Sequence, residues 1–271
     1  MTARFRADRR LGVAFALISV AFLAAFRAGN HLGLEVPILV RATYLLIAVA
    51  FGIRHGLITR GARGFTRFCV AVAAVAYTAE IVGVRSGWLF GEYAYTDRLG
   101  PMLPGEVPIA IPVFWVLMIY AADDCAGLAF GRSLPALWHA AAVGAVAASW
   151  DLMIDPIAVA YNCWTWSPEA TATIFGIPAT NAPSWWLVAS VATYLARPGD
   201  ALRRSDIEHW FRHLPALALF VAAINNVAAT IELGFPGAGL AGGAALAPYA
   251  AAALARRDWR RDRNPAAARA G

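Results

Sequence analysis

The sequence predicts an all-α protein: a polytopic bundle of about eight membrane-crossing helices, with seven as the alternative count and both termini in the cytoplasm. Three observations predict it. Of 271 residues, 60% are hydrophobic and 15% are charged, whereas an ordinary soluble domain has about 25% charged residues. The mean hydropathy is +0.57, and apolar segments of about 20 residues recur along the chain, each long enough to cross a hydrocarbon core of about 30 Å. The 23 basic side chains are all arginine, and they fall between these segments, crowded in some connections and sparse in the alternate ones.

The segments follow in order. Arg4, Arg6, Arg9 and Arg10 precede the first, Leu11–Phe26. This resembles the n-region of a signal peptide, but Ala24-Ala25-Phe26 is a weak cleavage context, so the segment is read as a span. The second, Val36–Ile53, contains Arg41, a candidate partner for a buried acid. Then come Phe65–Val84, Val107–Phe130, Leu134–Pro156, Thr171–Leu195, Leu214–Leu233 and Gly237–Leu254. Arginines crowd the N-terminal tail, the connection with Arg54, Arg60, Arg63 and Arg67, the connection with Arg197, Arg203, Arg204 and Arg212, and the C-terminal tail with Arg256, Arg257, Arg260, Arg261 and Arg263. By the positive-inside rule these four lie in the cytoplasm. Residues 1–271 therefore read as one integral membrane domain of the cell membrane.

The opposite connections hold only Arg27, Arg85 and Arg98. They are rich in aromatic and turn-forming residues instead. Residues 85–106 read RSGWLFGEYAYTDRLGPMLPGE and residues 161–170 read YNCWTWSPEA. An interfacial aromatic belt would account for Trp88, Tyr93, Tyr95, Trp164 and Trp166 singly. Depth favours more than a belt. Alternating the span directions puts Glu80, Asp151, Asp155 and Glu232 near the outer ends of their spans, with Asn181 in the outer half of the sixth. Acids from several helices thus share a level beneath the aromatic loops, although helix ends meeting water would also account for them.

Asp151 and Asp155 lie in Trp150-Asp151-Leu152-Met153-Ile154-Asp155-Pro156. Side chains at i and i+4 share a helix face. An Asp at mid-bilayer costs about 2.5–3.5 kcal/mol on the insertion scale, so intramembrane acids are read as functional. Two carboxyls in one low-dielectric site cannot both ionise cheaply, and one is expected to keep its proton. A general acid and a general base then stand side by side.

Several classes are excluded. Nucleic-acid binding wants a basic stripe on a polar surface, which the scattered arginines do not form. Di-iron hydroxylases need clustered histidines; of five His, only His209 and His213 are spaced i, i+4, and they read as a solvated helix face. Gly237-Ala238-Gly239-Leu240-Ala241-Gly242 matches GxGxxG but follows a helical span, so it reads as a close-packing stripe and implies no dinucleotide. Cys69, Cys125 and Cys163 have no metal or redox spacing. Asp123 and Asp124 sit toward the inner end of their span, where a structural role such as pairing with an Arg is favoured. Asn225 and Asn226 either bond between helices or line a pocket. What remains is acid chemistry without metal or cofactor, beside aromatic faces that stabilise a developing cation by about 2 kcal/mol when desolvated.

Taken together, the chain resembles the carotenoid biosynthesis membrane proteins that act as carotenoid hydratases, of the bisanhydrobacterioruberin hydratase and gamma-carotene hydratase type. The resemblance runs through Glu80, Gly83, Gly87, Phe90-Gly91, Tyr93, Tyr95, Leu99-Gly100, Pro108 and Trp115. It resumes at Asp151, Asp155-Pro156, Trp164, Trp166, Phe175-Gly176-Ile177-Pro178, Asn181 and Trp185. The chain departs from the family pattern at Leu89, Ala182 and Ser184, where the family tends to have Pro, Phe and Gly, in segments expected to line the substrate.

The resemblance implies addition of water across the terminal double bond of an acyclic carotenoid end, giving a tertiary alcohol. Protonation at the less substituted carbon generates a tertiary cation that water captures. Asp155 or Asp151 would donate the proton, with Asp155, nearest the aromatic loop, the better candidate; the other acid or Glu80 would orient and deprotonate the water. Trp88, Phe90, Tyr93, Tyr95, Trp115, Trp164, Trp166, Asn181 and Trp185 would bind substrate. The implied partners are the carotenoid, water, membrane lipids and neighbouring enzymes of the pathway. Two other readings stay open: a non-catalytic carotenoid-binding or scaffold protein, and a proton-coupled transporter, although no inverted repeat is evident.

Overall fold

A computed structural model describes residues 3–32, 38–131, 134–168, 172–196 and 209–255. Helices dominate them: α1 (Ala3–His31), α2 (Ile38–Ser86), α3 (Ala110–Phe130), α4 (Ala136–Ala160), α5 (Asn181–Ala196), α6 (His209–Arg212), α7 (Leu214–Glu232) and α8 (Pro236–Ala255). Six are long and apolar enough to cross a membrane, namely α1, α2, α3, α4, α7 and α8. Their outward faces carry exposed Leu17, Leu46, Ile224, Leu240 and Leu254, as lipid contact requires. The side chain of Arg41 and the arginines of 197–204 and 256–263 lie outside the described residues.

The second and third predicted spans are the two halves of α2. No loop joins them: the helix is interrupted at one residue, Gly61, with φ 72° and ψ 163°, backbone angles that only glycine adopts without strain. The chain folds back there. A Cβ on Gly52 would meet Leu117 at 2.9 Å, and Arg60 reaches Asp123. Beyond the break, Phe68 meets Tyr120 and Glu80 meets Trp115. The two halves therefore run along α3 in opposite directions. Arg54, Arg60, Arg63 and Arg67 sit in helix, with the break confined to Gly61.

The sixth segment also differs from its predicted limits. Thr171, the expected start of the helix, lies outside the described residues, and the residues after it form a hairpin, β5 (Thr173–Ile174) with β6 (Ile177–Pro178). Phe175 and Gly176 turn it with φ of 55° and 81°, the geometry of a two-residue type I′ loop. Helix α5 starts only at Asn181 and has 16 residues, a rise of about 24 Å. Earlier in the chain, β2 (Met102–Leu103) pairs with β3 (Val107–Pro108). The connections 85–106 and 161–170 are joined by β1 (Tyr93–Tyr95) and β4 (Trp164–Trp166), antiparallel in the register Tyr93 to Trp166 and Tyr95 to Trp164.

The core is centred on α3 and α4, with Val72, Trp115, Ile119, Val143, Val146 and Met153 fully buried. The glycine stripe of α8 packs closely, as its composition predicts: a Cβ on Gly242 would strike the Ser149 carbonyl at 2.7 Å, and one on Gly237 the Phe175 ring at 2.6 Å. Beside the Gly61 break a polar cluster ties four helices. Arg60 pairs with Asp123 at 2.8 Å and lies over the Phe68 and Tyr120 rings. His139 Nε2 meets Asp123 at 2.7 Å, and His55 Nδ1 meets the Tyr120 hydroxyl at 2.7 Å. His213 is no solvated face: it is buried in the turn before α7, 3.0 Å from Asp124. The side chain of His209 lies outside the described residues.

Candidate active site

Glu80 lies near the C-terminal end of α2, 4% exposed, and three donors converge on it. The Tyr93 hydroxyl donates to Oε2 at 2.5 Å, the Tyr95 hydroxyl to the same oxygen at 2.7 Å, and Trp115 Nε1 to Oε1 at 2.8 Å. An acceptor-only carboxylate is the group that such a set of donors satisfies. In β1 the phenols are two residues apart and so share one face, which aims both at Glu80. Burial, reinforced by the Glu80 charge, holds both phenols well above the usual tyrosine range. They remain protonated donors throughout the neutral range.

The ribbon register sets the opposite aromatics. Trp166 lies beside Tyr93, ring centroids 5.0 Å apart, and Trp164 meets Tyr95 edge-on at 5.9 Å. Trp115 stacks on Trp185 at 4.1 Å. Gly83 allows this seating, because a Cβ there would meet Phe90 at 2.7 Å and the Tyr93 hydroxyl at 3.1 Å.

The carboxyl pair is on α4. Both aspartates are buried, Asp151 1% and Asp155 2% exposed, and Asn181 at the start of α5 is bonded to both. Its Nδ2 lies 2.9 Å from each Asp151 oxygen and 2.5 Å from Asp155 Oδ2. With two hydrogens for three oxygens, the bonds to Asp151 are bifurcated. Pro156 has no N–H for the Leu152 carbonyl, which leaves that oxygen without its usual helix donor beside the pair.

These groups surround a cavity of about 260 Å³. Glu80, Asp155 and Asn181 line it together with Phe90, Tyr93, Tyr95, Trp115, Trp164, Trp166 and Trp185. Three sequence-picked residues stand apart. Trp88 is 75% exposed and does not line the cavity. Asp151 lies behind Asp155, lining a separate small cavity of about 20 Å³. Glu232 does not join the acids: it is paired with Arg27, its side chain 47% exposed. Asn225 and Asn226 line neither cavity.

Sequence reasoning missed much of the apolar wall, including Ile111, Phe114, Ile154, Ile157 and Tyr161, which only packing distinguishes from other span residues. Cys163 also lines it. The positions that depart from the family pattern do not: the Ser184 hydroxyl donates to the Leu89 carbonyl at 2.6 Å, and Ala182 lines the small cavity. Among the described residues, no group of three or more His, Cys, Asp or Glu could hold a metal ion.

Comparison with known proteins points the same way. Over 162 residues the chain is 36% identical to the bisanhydrobacterioruberin hydratase of Haloarcula japonica, a match covering 58% of this chain. It spans 54% of that curated relative, about half its length. No solved structure matches. The carotenoid biosynthesis protein family matches residues 36–247, which include every wall of the cavity. The chain belongs to the carotenoid biosynthesis protein family.

Proposed function

We propose that this protein is a carotenoid hydratase that adds water to the terminal C=C bond of an acyclic carotenoid end, giving a tertiary alcohol by acid–base catalysis. It is a carbon–oxygen lyase in its reverse sense and draws its chemistry from side chains. The observation that carries the reading is the meeting of Glu80, Asp155 and Asn181 in one aromatic-walled cavity. The hydratase name of the Haloarcula relative supports the substrate class.

In this reading one end of the carotenoid enters and the polyene stays in the lipid. A cavity of about 260 Å³ is slightly below the range of about 300–1,000 Å³ that holds drug-sized ligands, which suits an isoprenoid end. Asp155 protonates the less substituted alkene carbon, and the tertiary cation forms between the Tyr93, Tyr95, Trp164 and Trp166 rings. Each suitably placed face stabilises it by about 2 kcal/mol when desolvated. Water attacks the cation and passes its proton to Glu80, the acceptor that three donors hold in place. Asn181 steadies the water or the product hydroxyl.

The proposed setting is the cell membrane, crossed about eight times with both termini cytoplasmic. The two halves of α2 and the short α5 count as separate spans beside the other five long helices. Residues 85–106 and 161–170 then close the site from the far side.

The test is expression in cells that make lycopene or a longer acyclic carotenoid, with mass detection of a gain of one water. Hydrated product is expected. Unmodified pigment that co-purifies without product would instead indicate a binding protein, and proton-dependent flux in liposomes a transporter.

A further inference from the structure

The two aspartates open onto different spaces. Asp155 lines both cavities, whereas Asp151 lines only the small one, which is bounded by Leu152, Pro156 and the β5–β6 hairpin. At about 20 Å³ the small cavity has room for one water, since about 10–15 Å³ of probe-occupied volume suffices. Its polar partners are of the right number. The polar side chains of Asp151, Asp155 and Asn181 line it, and two to four polar partners are what a buried water needs. The cover is fixed in place. Phe175 holds a positive φ, unusual for a bulky residue, and its ring packs where only a glycine, Gly237, admits it.

From this partition we infer that Asp151 never touches the carotenoid and acts as a proton relay: a single water in the small cavity passes a solvent proton to Asp151, which reloads Asp155 after each turnover. The inference rests on the hydratase reading. The protons balance. The Asp155 proton forms the new C–H bond as the π bond breaks, and the attacking water forms the C–O bond and gives its proton to Glu80. Asp155, now a carboxylate, takes the proton of Asp151, within hydrogen-bonding reach. The water of the small cavity takes up a proton from solvent as it passes one to Asp151, so it stays neutral, and Glu80 releases its own proton to solvent, so uptake and release are equal. Asp151 is thus a positioning and relay residue, and Asp155 the catalytic one.

The test counts product per protein molecule over time, using the full chain in lipid nanodiscs and lycopene, or whichever acyclic carotenoid the wild type hydrates. Asp151→Asn leaves Asp155 loaded once. It is expected to give up to one product per protein at close to the wild-type rate, then turn over at least about 100-fold more slowly, the scale of a lost proton-transfer group. Ala179→Leu, which fills the small cavity from the hairpin side, should show the same two phases. A folded Asp151→Asn protein with no first round makes Asp151 the donor and overturns the relay. So does uniform slowing without a burst, or wild-type turnover in either folded variant. If one variant fails to fold, the other decides. No product from the wild type with any acyclic carotenoid counts against the hydratase reading itself, and is thereby told apart.

Discussion

Glu80 and Asp155 enter one cavity from different helices with opposite hydrogen-bonding surroundings. Glu80 accepts from two phenols and an indole, whereas Asp155 receives one short bond from Asn181 and is otherwise set against a second carboxyl. The first environment suits a base and the second a shared proton. Asp155→Asn, nearly isosteric, should lower hydration by about 10²–10⁴-fold while the protein still accumulates in the membrane; full activity by mass assay would remove Asp155 from the chemistry. The phenols make a separate pH prediction. Their folded-state pKa values are raised, so the stability they contribute is complete below pH about 10, where unfolded tyrosines begin to ionise. It is lost as pH rises beyond that. Thermal melting in detergent should therefore fall above that pH in the wild type, and fall less in Tyr93→Phe with Tyr95→Phe.

At the scale of elements, the ribbon of β1 and β4 aims four aromatic rings, and Gly83 makes room for it. Gly83→Val would press on Phe90 and the Tyr93 hydroxyl, so hydration should drop about tenfold or more, as for a lost hydrogen bond to a charged group worth about 1.5–3 kcal/mol. Expression should be unchanged, and the product yield per protein measures the effect. The apolar segments that became long helices were legible because length and hydropathy alone define them. The carboxyl pair was legible from its i, i+4 spacing. The pairing of Tyr93-Ala94-Tyr95 with Trp164-Thr165-Trp166 was not, although both runs alternate in the period of a strand, because three residues are too few to separate a strand from an interfacial belt. The start of α5 was misplaced because Thr171–Pro178 is as apolar as a span; its Phe175-Gly176 turn was the available signal. Trp88 was indistinguishable from its neighbours, since exposure is decided by which face the turn presents.

For the whole molecule, the reversal at Gly61 and the cluster beneath it separate stability from chemistry. Arg60 and Asp123 pair at 2.8 Å with side chains 4% and 8% exposed, and Asp123 is eight residues from Trp115 on α3, about 12 Å along the helix. The cluster therefore holds α2, at its break, to α3, α4 and α7 without reaching the cavity. The same reversal keeps the number of crossings even if each half of α2 and the short α5 count as one. Reporter fusions at Met1 and Gly271 should then both read as cytoplasmic, and opposite readings would remove one crossing. Arg60→Met takes the guanidinium partner from the buried Asp123 carboxyl, a loss of the order of 3–5 kcal/mol for a broken buried pair. Replacing Arg60, Asp123 and His139 together by Met, Leu and Leu removes the uncompensated charge and should recover most of that loss, as apolar substitutes for buried ion pairs commonly do. Thermal melting of purified protein checks both. Product formed per folded molecule should stay at the wild-type level in each, because nothing in the cluster touches Glu80, Asp155 or Asn181; a fall in that quantity would mean that the two polar layers are coupled through α3.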